Sequence, residues 1–284
     1  MDVGVISSAN IDHGVSDTFA TSDGEVKYLE MDLGPLIFMD DIFRMGENVS
    51  SAQRANNLME TIIGKKSLEF NLDKSSFMVM GNKKSRKVIN SHLMKSPIKL
   101  CGSNMKEVKV LKYLGDYLAH SLEESVHHTV LQRLGLAKHS IYEIRAIIED
   151  TRATRLGGIN IAFSLWEQTV LPFLLQNCET WANIPKKTMK ILNNLFNQFH
   201  RSLMRIGTGC PADNFYWQSG SLKPEFCILL KQLKFVHHLA NLPVGSLGRD
   251  IHDLQVSHSL PGLATSLQKH LNTLGVTDLT AISK

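Results

Sequence analysis

The pattern of apolar and polar positions divides the chain into two parts. Up to about residue 120, short apolar runs alternate with glycine and polar turns, which is typical of β-strands. From Leu122 onward, apolar residues recur at three- and four-residue spacing, as they do on one face of an α-helix. We therefore predict an α+β fold. Antiparallel hairpins and a helix occupy residues 1–120, a mainly α-helical region follows in residues 121–243, and residues 244–284 form a loosely structured tail.

An apolar run over residues 35–45 is interrupted by two adjacent carboxylates, Asp40 and Asp41. The run predicts a hairpin of two buried strands, with the acidic pair at or near the turn. Burying two neighbouring carboxylates raises the pKa of at least one of them, unless a divalent cation or basic groups offset the repulsion. Mg²⁺ suits such oxygen ligands and completes its shell with water and substrate phosphates. The structural alternative is an Asp-Asp turn whose side chains cap their own backbone.

Further local signals predict the other elements of the first part. Ser50 and Gln53 have the spacing of a capping box and predict the start of a helix. A polar turn that carries Lys74 then leads into a strand ending at Gly81. Residues 108–118 alternate in the manner of a second hairpin.

Four helices are predicted in the second part, and proline marks three of them. Pro172 kinks or breaks the second helix, Pro185 begins the third, and Pro224 begins the fourth. The end of the third helix is expected to be marked by Gly207 and Gly209. Their apolar stripes are interpreted as core positions rather than as cofactor contacts.

Composition narrows the class of protein. The 284 residues are 43% hydrophobic and 20% charged, which suits one large or two modest globular domains. The four cysteines, at positions 101, 178, 210 and 227, lack the spacing of a zinc site or a disulfide framework. No signal peptide is visible, and polar residues interrupt the apolar segment 159–175. We expect an intracellular protein of the cytoplasm or nucleus that is not secreted and has no membrane partner.

Charge is distributed unevenly along the chain. Residues 1–41 have one Lys and nine acids, a net charge of −8, whereas residues 42–118 have fourteen bases and six acids, a net charge of +8. This polarity is typical of a metal site beside a surface that binds a polyanion, although an ordinary solvated surface is an alternative. Within the basic part, a cluster of four bases is interpreted as a phosphate contact, a localisation signal or a solvated loop. It consists of Lys83, Lys84, Arg86 and Lys87.

Three motifs follow one another in a set order: Phe38-Met39-Asp40-Asp41, Asn71-Leu72-Asp73-Lys74-Ser75 before a strand, and Lys112-Tyr113-Leu114-Gly115. This order resembles the reverse transcriptases of non-LTR (LINE-like) retrotransposons. In that family an aromatic-x-Asp-Asp hairpin holds catalytic metal, an Asn-x-x-Lys-Thr/Ser turn lies near the incoming nucleotide, and a Tyr-Leu-Gly hairpin grips the primer end. Residues 217–243 resemble the helical region after the palm. The resemblance covers residues 35–240 and implies a partial polymerase palm in residues 1–120 and a thumb-like or connection-like region in residues 121–243.

The resemblance implies a role for each matching residue. Asp40 would be a direct ligand of the catalytic Mg²⁺, and Asp41 a weaker or outer ligand. Lys74 would lie near the triphosphate, where it neutralises charge or protonates the leaving group. The turn Tyr113-Leu114-Gly115 would hold the primer terminus. The residues themselves leave a solvated turn lysine and a core or cross-strand aromatic as alternatives for Lys74 and Tyr113. The implied partners are an RNA template, a DNA primer and a dNTP.

The family pattern also requires an earlier Asp strand and a Gln-Gly segment, and neither is found before the acidic pair. The resemblance therefore implies a chain truncated upstream, with weak Mg²⁺ binding and no activity alone. Two other hypotheses remain: a nucleic-acid-binding or interaction module without chemistry, and an unrelated helical protein whose Asp-Asp turn is structural.

Overall fold

The computed structural model describes residues 3–8, 18–20, 26–28, 36–38, 41–46, 48–150, 157–257 and 263–273. The fold is mixed α+β and mostly helical, so the predicted α+β class is confirmed. The chain divides into two compact units, Met1–Ser125 and Val126–Lys284. That these units are a palm and a thumb stays a prediction. No helix in the described ranges is both long enough and apolar enough to cross a membrane.

The first unit contains short strands and two complete helices. The strands are β1 (Val3–Ser8), β2 (Thr18–Ala20), β3 (Val26–Tyr28), β4 (Leu36–Phe38), β5 (Asp41–Met45), β6 (Ser76–Met80), β7 (Lys99–Leu100), β8 (Ser103–Asn104), β9 (Lys106–Glu107), β10 (Val110–Tyr113) and β11 (Asp116–Ala119). The helices are α1 (Val49–Lys65) and α2 (Lys83–Lys95). Helix α1 connects β5 to β6.

The main sheet of the first unit has the strand order β4-β5-β1-β6-β9. Strands β4 and β5 are antiparallel, as the predicted hairpin requires. Strand β1 lies between β5 and β6 and is parallel to both. Strands β5 and β6 are therefore parallel, and α1 is the crossover between them. The predicted second hairpin is also confirmed, since β10 and β11 are antiparallel.

Helix α1 begins two residues earlier than the sequence predicts. The Oδ1 atom of Asn48 accepts a hydrogen bond from the N–H of Ser51 at 2.9 Å, and the Oγ of Ser51 accepts one from the N–H of Asn48 at 3.1 Å. This reciprocal capping box makes Asn48, not Ser50, the N-cap. Gln53 has a different task, because its amide exchanges two hydrogen bonds with the backbone of Lys99. These two hydrogen bonds link β7 to α1.

The second unit is helical. Its elements are α3 (Leu122–Asp150, which begins in the last residues of the first unit), α4 (Gly157–Leu165), a π-helical turn (Trp166–Val170), α5 (Leu171–Leu174), a 3₁₀ turn (Cys178–Thr180), α6 (Lys186–Met204), α7 (Ala212–Ser219), α8 (Pro224–Ala240), α9 (Leu247–Ser257) and α10 (Leu263–Thr273). The four predicted helices correspond to α3, α4 with α5, α6 and α8. Helices α9 and α10 lie in the segment 244–284, so the prediction of a loosely structured tail is wrong for those residues.

Three helix details differ from the predictions. Pro172 does not break the second helix, because the π-helical turn precedes it and the N–H of Leu171 bonds to the carbonyl of Trp166, five residues back. Helix α6 ends at Met204, and the next residue, Arg205, takes the left-handed conformation with φ of 54°, so the helix stops before Gly207 and Gly209. On α8, Phe226 and Leu230 are exposed, so only part of its predicted apolar face is core.

Aromatic rings dominate the core of the second unit. Trp166 stacks on Phe199 with ring centroids 4.3 Å apart and meets the edge of Phe196 at 5.1 Å. Behind this cluster, the backbone carbonyls of residues 175–181 are satisfied by long side chains. Lys231 donates to Leu175 at 3.0 Å, and Gln232 donates to Trp181 at 2.7 Å.

A buried histidine, His200, lies at the centre of this core and is 0% exposed. Its Nδ1 is 2.8 Å from the carbonyl oxygen of Phe196, and its Nε2 has no hydrogen-bond partner among the described residues. Five rings surround it, those of Phe163, Trp166, Phe199, Phe215 and Tyr216. Burial lowers the pKa of the His200 imidazole, and the hydrogen bond to Phe196 opposes that change. The neutral ring is therefore the folded form.

We expect the second unit to lose stability as the pH falls below about 6.5, the usual pKa of an unfolded histidine. The His200 side chain binds a proton at a higher pH in the unfolded chain than in the folded chain. The free energy of unfolding therefore begins to fall near the unfolded pKa and goes on falling down to the folded pKa, by up to about 1.4 kcal/mol per pH unit. Burial also lowers the pKa values of His127 and His252, which adds in the same direction.

Urea unfolding monitored by tryptophan fluorescence between pH 5 and 7.5 measures this slope. His200→Phe should flatten it, whereas the exposed His238→Phe should not. Equal slopes in the two variants would contradict the assignment to His200.

Candidate functional site

One member of the acidic pair, Asp41, lies at the start of β5. Asp41 is the first residue of that strand and pairs with Phe38 of β4. Met39 and Asp40, which separate the two in sequence, lie outside the described residues. The predicted hairpin is therefore present, and the prediction that Asp40 binds metal stays a prediction.

The register of the sheet brings Asp41 and Lys74 to the same end. Gly4 of β1 pairs with Phe43 on one side and with Ser76 on the other. Asp41 is two residues before Phe43, and Lys74 is two residues before Ser76. Strands β5 and β6 run in the same direction. Asp41 and Lys74 therefore lie at the same end of the sheet, where both strands begin. Two interstrand spacings, about 10 Å in all, separate β5 from β6.

The turn that carries Lys74 is built by Asn71. Its Oδ1 accepts a hydrogen bond from the N–H of Lys74 at 3.2 Å, and its carbonyl accepts from the hydroxyl of Ser75 at 2.7 Å. These contacts give Asn71 and Ser75 a structural role, since the amide and the hydroxyl close the turn around the lysine. Lys74 itself is exposed at the edge of the sheet.

The Tyr113 hairpin packs against the same sheet. The ring centroids of Tyr113 and Phe43 are 4.8 Å apart. Phe43 follows Asp41 by two residues in β5. The cluster around this contact has Phe43 and Met78 as its buried members; Met80, Val108, Leu111, Tyr113 and Leu118 pack against them. The ring of Tyr113 therefore has the packing role that the sequence left as an alternative. Phe43 supports the ring of Tyr113. The sequence did not identify Phe43 as important, because it is one of several apolar residues in its strand.

The turn of this hairpin is directed toward the Asp41 end of the sheet. At its base, the carbonyl of His120 accepts a hydrogen bond from the N–H of Gly81, beyond the far end of β6. At its tip, Leu114 and Gly115 both have positive φ, 47° and 85°. Two such residues between paired strands form the tight turn that favours glycine. Gly115 thus has a structural reason to be glycine, and its contact with the primer stays a prediction.

The four-base cluster is the first turn of a helix, so the solvated-loop interpretation is wrong. Asn82 caps α2 by accepting the N–H of Ser85 at 2.9 Å. Lys83, Lys84 and Lys87 are exposed, while Arg86 is half-buried. Cations at a helix N-terminus oppose the helix dipole, which favours anions there.

The cluster is not close to Asp41. It follows the end of β6, roughly 15 Å along the strand from Lys74. The predicted nucleic-acid contacts therefore divide between the two ends of the sheet, with the Tyr113-Leu114-Gly115 turn at one end and the α2 cluster at the other.

Mg²⁺ binding by Asp40 and Asp41 stays a prediction, because the side chains of both residues lie outside what the structure describes. Carboxylate oxygens are the ligands that Mg²⁺ prefers. In the part of the chain that the structure describes, no group of three or more His, Cys, Asp or Glu side chains is arranged to hold a metal ion. Asp40 and Asp41 would have to share the ion with water and substrate phosphates.

Comparisons with known proteins identify no family for this chain. No protein-family model matches the chain, and comparisons with curated proteins and with solved structures gave no match. The function is therefore inferred from the residues and their geometry.

Proposed function

We propose that residues 35–240 are the second half of the palm and a thumb-like region of an RNA-directed DNA polymerase, related to the reverse transcriptases of non-LTR retrotransposons. One observation carries the proposal. Asp41 begins β5 and Lys74 precedes β6 at the same end of the sheet, and the ring of Tyr113 packs on Phe43 of β5. The three motifs are well separated in sequence, and this arrangement supports a shared site.

In this proposal the reaction is nucleotidyl transfer, in which the primer 3′-hydroxyl attacks the α-phosphorus of a dNTP and pyrophosphate leaves. Mg²⁺, when bound, supplies the charge that activates the hydroxyl and stabilises the pyrophosphate. Asp40 and Asp41 would hold it through carboxylate oxygens. Lys74 neutralises the triphosphate or gives a proton to the leaving group. The Tyr113-Leu114-Gly115 turn holds the primer end, and Gly115 permits close backbone approach.

We propose further that the chain does not polymerise by itself. A two-metal centre needs carboxylates on both sides of the reacting phosphate. The opposing Asp strand and the Gln-Gly segment of the family pattern are not found in the sequence before Asp40. Mg²⁺ binding should therefore be weak and turnover negligible.

A primer-extension assay tests the second statement. The full chain, a labelled DNA primer on an RNA template, Mg²⁺ and four dNTPs should give no extension. Synthesis that Asp41→Asn abolishes would support a polymerase and overturn the claim of an incomplete centre.

Photo-cross-linking tests the palm assignment without needing activity. A primer with 4-thiothymidine at its 3′ end, annealed to RNA, should cross-link to the peptide that contains Tyr113-Leu114-Gly115. A primer with the same base at its 5′ end is the control. Equal labelling of that peptide by both primers, or none by either, would contradict the proposal.

A second candidate function is nucleic-acid binding without chemistry. It is favoured by the exposed Lys83, Lys84 and Lys87, which lie at the opposite end of the sheet from Asp41. Steep salt dependence of binding, together with no 3′-specific cross-link, would favour this candidate. A flat response to salt would exclude a phosphate-binding surface.

A further inference from the structure

The outer face of α8 presents apolar side chains to solvent. Phe226 and Leu230 lie one turn apart on this helix, and each is just under half exposed. Leu222, two residues before the helix, is exposed to a similar extent. None of the three belongs to a hydrophobic core cluster within the described residues. Because the outer face of a surface helix is normally polar, this face has the character of a contact surface.

The inner face of α8 is already used by the second unit. Its buried residues are Pro224, Ile228, Gln232 and Val236. Val236 packs with Leu267 of α10, and Gln232 donates to the carbonyl of Trp181 at 2.7 Å. The helix is therefore anchored through one side, and its outer face can meet a separate molecule without any change of fold.

Trp217 extends the apolar surface beyond the start of α8. It belongs to α7 and is almost fully exposed. After α7, Gly220 takes the left-handed conformation with φ of 67°, and an ion pair between Asp213 and Lys223 holds the first turn of α7 to the N-cap of α8. Only five residues separate Trp217 from Leu222 across this turn. The four side chains, Trp217, Leu222, Phe226 and Leu230, are called the α8 patch below.

The α8 patch has the area of a weak, specific dimer interface. A large aromatic side chain has a surface of about 150–250 Å², so the four partly exposed side chains present about 400–450 Å². Two chains would cover about 800–900 Å² of apolar surface, and the polar atoms around it bring the total to about 1,000–1,200 Å², the low end for specific interfaces. We expect a Kd of about 10–100 μM for a contact of this size.

The order of side chains along the row is self-complementary. Two copies of α8 that pair antiparallel, about a twofold axis between Phe226 and Leu230, place each Phe226 on the partner's Leu230. Rows of residues four apart then interdigitate, which is the commonest class of helix packing. Lys234, the next residue of the row, comes to the end of the patch that carries the partner's Trp217, and a lysine over a tryptophan ring is favourable. A parallel pairing would instead bring the two Lys234 side chains together.

A membrane surface fits the α8 patch less well. A helix that lies in the lipid interface presents an apolar face along its length. The outer row of α8 becomes polar after Leu230, where Lys234 and His237 are exposed.

We infer that the α8 patch is the interface of a symmetric homodimer, so the partner is a second copy of this chain. This inference concerns the second unit and goes beyond the polymerase proposal, whose site lies in the first. It does not depend on that proposal.

Sedimentation velocity of the full chain tests the inference over a range of concentrations. The chain should be a monomer at about 1 μM and mainly a dimer at about 200 μM, on either side of the expected Kd. Fluorescence emission should move to shorter wavelength over the same range, because Trp217 becomes covered while Trp166 and Trp181 are already buried. A monomer at every concentration would overturn the inference, and so would growth beyond the dimer.

Two complementary variants test the twofold pairing. Phe226→Lys and Leu230→Glu should each weaken the dimer at least tenfold, because each places unpaired charges against apolar side chains. An equimolar mixture of the two variants should form a heterodimer again. In that heterodimer the two introduced charges meet at one of the symmetry-related contacts, and the other contact keeps its wild-type residues. Recovery in the mixture also shows that both variants are folded. A mixture that stays monomeric would contradict the pairing.

Leu136→Lys is the matched control, because Leu136 is an exposed leucine of α3 in the same unit. It should dimerise as the wild type does. An equal loss of dimer in this control would overturn the assignment to α8. Binding of a monomeric wild-type chain to vesicles of anionic lipid, lost in Phe226→Lys/Leu230→Glu, would overturn it in favour of a membrane surface. The primer cross-link to Tyr113 reports on the first unit, so failure of either proposal is recognised separately.

Discussion

Trp166→Ala should lower the free energy of unfolding of the second unit by about 3–5 kcal/mol, the range for a buried large aromatic side chain. Trp166 is 1% exposed and contacts Phe196 and Phe199. Removing it leaves a cavity between the π-helical turn and α6 that helical backbones cannot collapse to fill. The stacked face of Phe199 also loses its partner.

Tryptophan fluorescence measures this change cleanly, because all three tryptophans, Trp166, Trp181 and Trp217, lie in the second unit. Urea unfolding of the variant is then monitored by the buried Trp181. Trp217→Ala is the matched control, since that side chain is 89% exposed and its removal should change stability by no more than about 0.5 kcal/mol. Similar losses in the two variants would show that the aromatic cluster does not hold the unit together.

Phe43→Ala should destabilise the first unit by a similar amount, about 3–5 kcal/mol, and should also release the Tyr113 hairpin. Phe43 is 7% exposed, packs with Met78, and is the ring on which Tyr113 rests. Amide hydrogen exchange in β10 and β11 should speed up, and the aromatic proton shifts of Tyr113 should move toward those of an exposed tyrosine.

Met94→Ala is the control for this variant, because Met94 is in the same unit and is 88% exposed. It should leave the exchange rates of β10 and β11 unchanged. The 3′-specific cross-link to Tyr113 should be lost in Phe43→Ala and kept in Met94→Ala. Unchanged exchange in Phe43→Ala would mean that the hairpin is held by other contacts than the ring of Phe43.

Local patterns in the sequence were sufficient for both hairpins and for four helices. A hairpin joins neighbours in sequence, so alternation and a turn signal identify both of its strands. The parallel position of β1 could not be predicted in this way, because its partners β5 and β6 are distant along the chain and no turn connects them. The same limit applies to the site, since the common edge of Asp41 and Lys74 follows from the pairing of Gly4.

Side-chain competition explains the other differences. Ser50 and Asn48 can both act as an N-cap. Asn48 is the N-cap because the hydroxyl of Ser51 accepts a hydrogen bond from the N–H of Asn48. In the tail, Leu267 and Leu271 are buried against Val236 of α8, so tertiary packing stabilises a helix whose own pattern is short. Phe226 follows the helical spacing of its neighbours, yet it lies outside the core.

The central position of β1 governs the order in which the protein folds. Gly4 must meet Ser76 across roughly seventy residues of chain, whereas the hydrogen bonds within each helix join near neighbours in sequence. During refolding, the helices should therefore form early and the five-stranded sheet late. Until β1 docks, the facing edges of β5 and β6 are open to any strand of the same sequence, and another copy of β1 fits them equally well. Concentrated refolding should accordingly yield strand-exchanged dimers, which slow dilution would avoid.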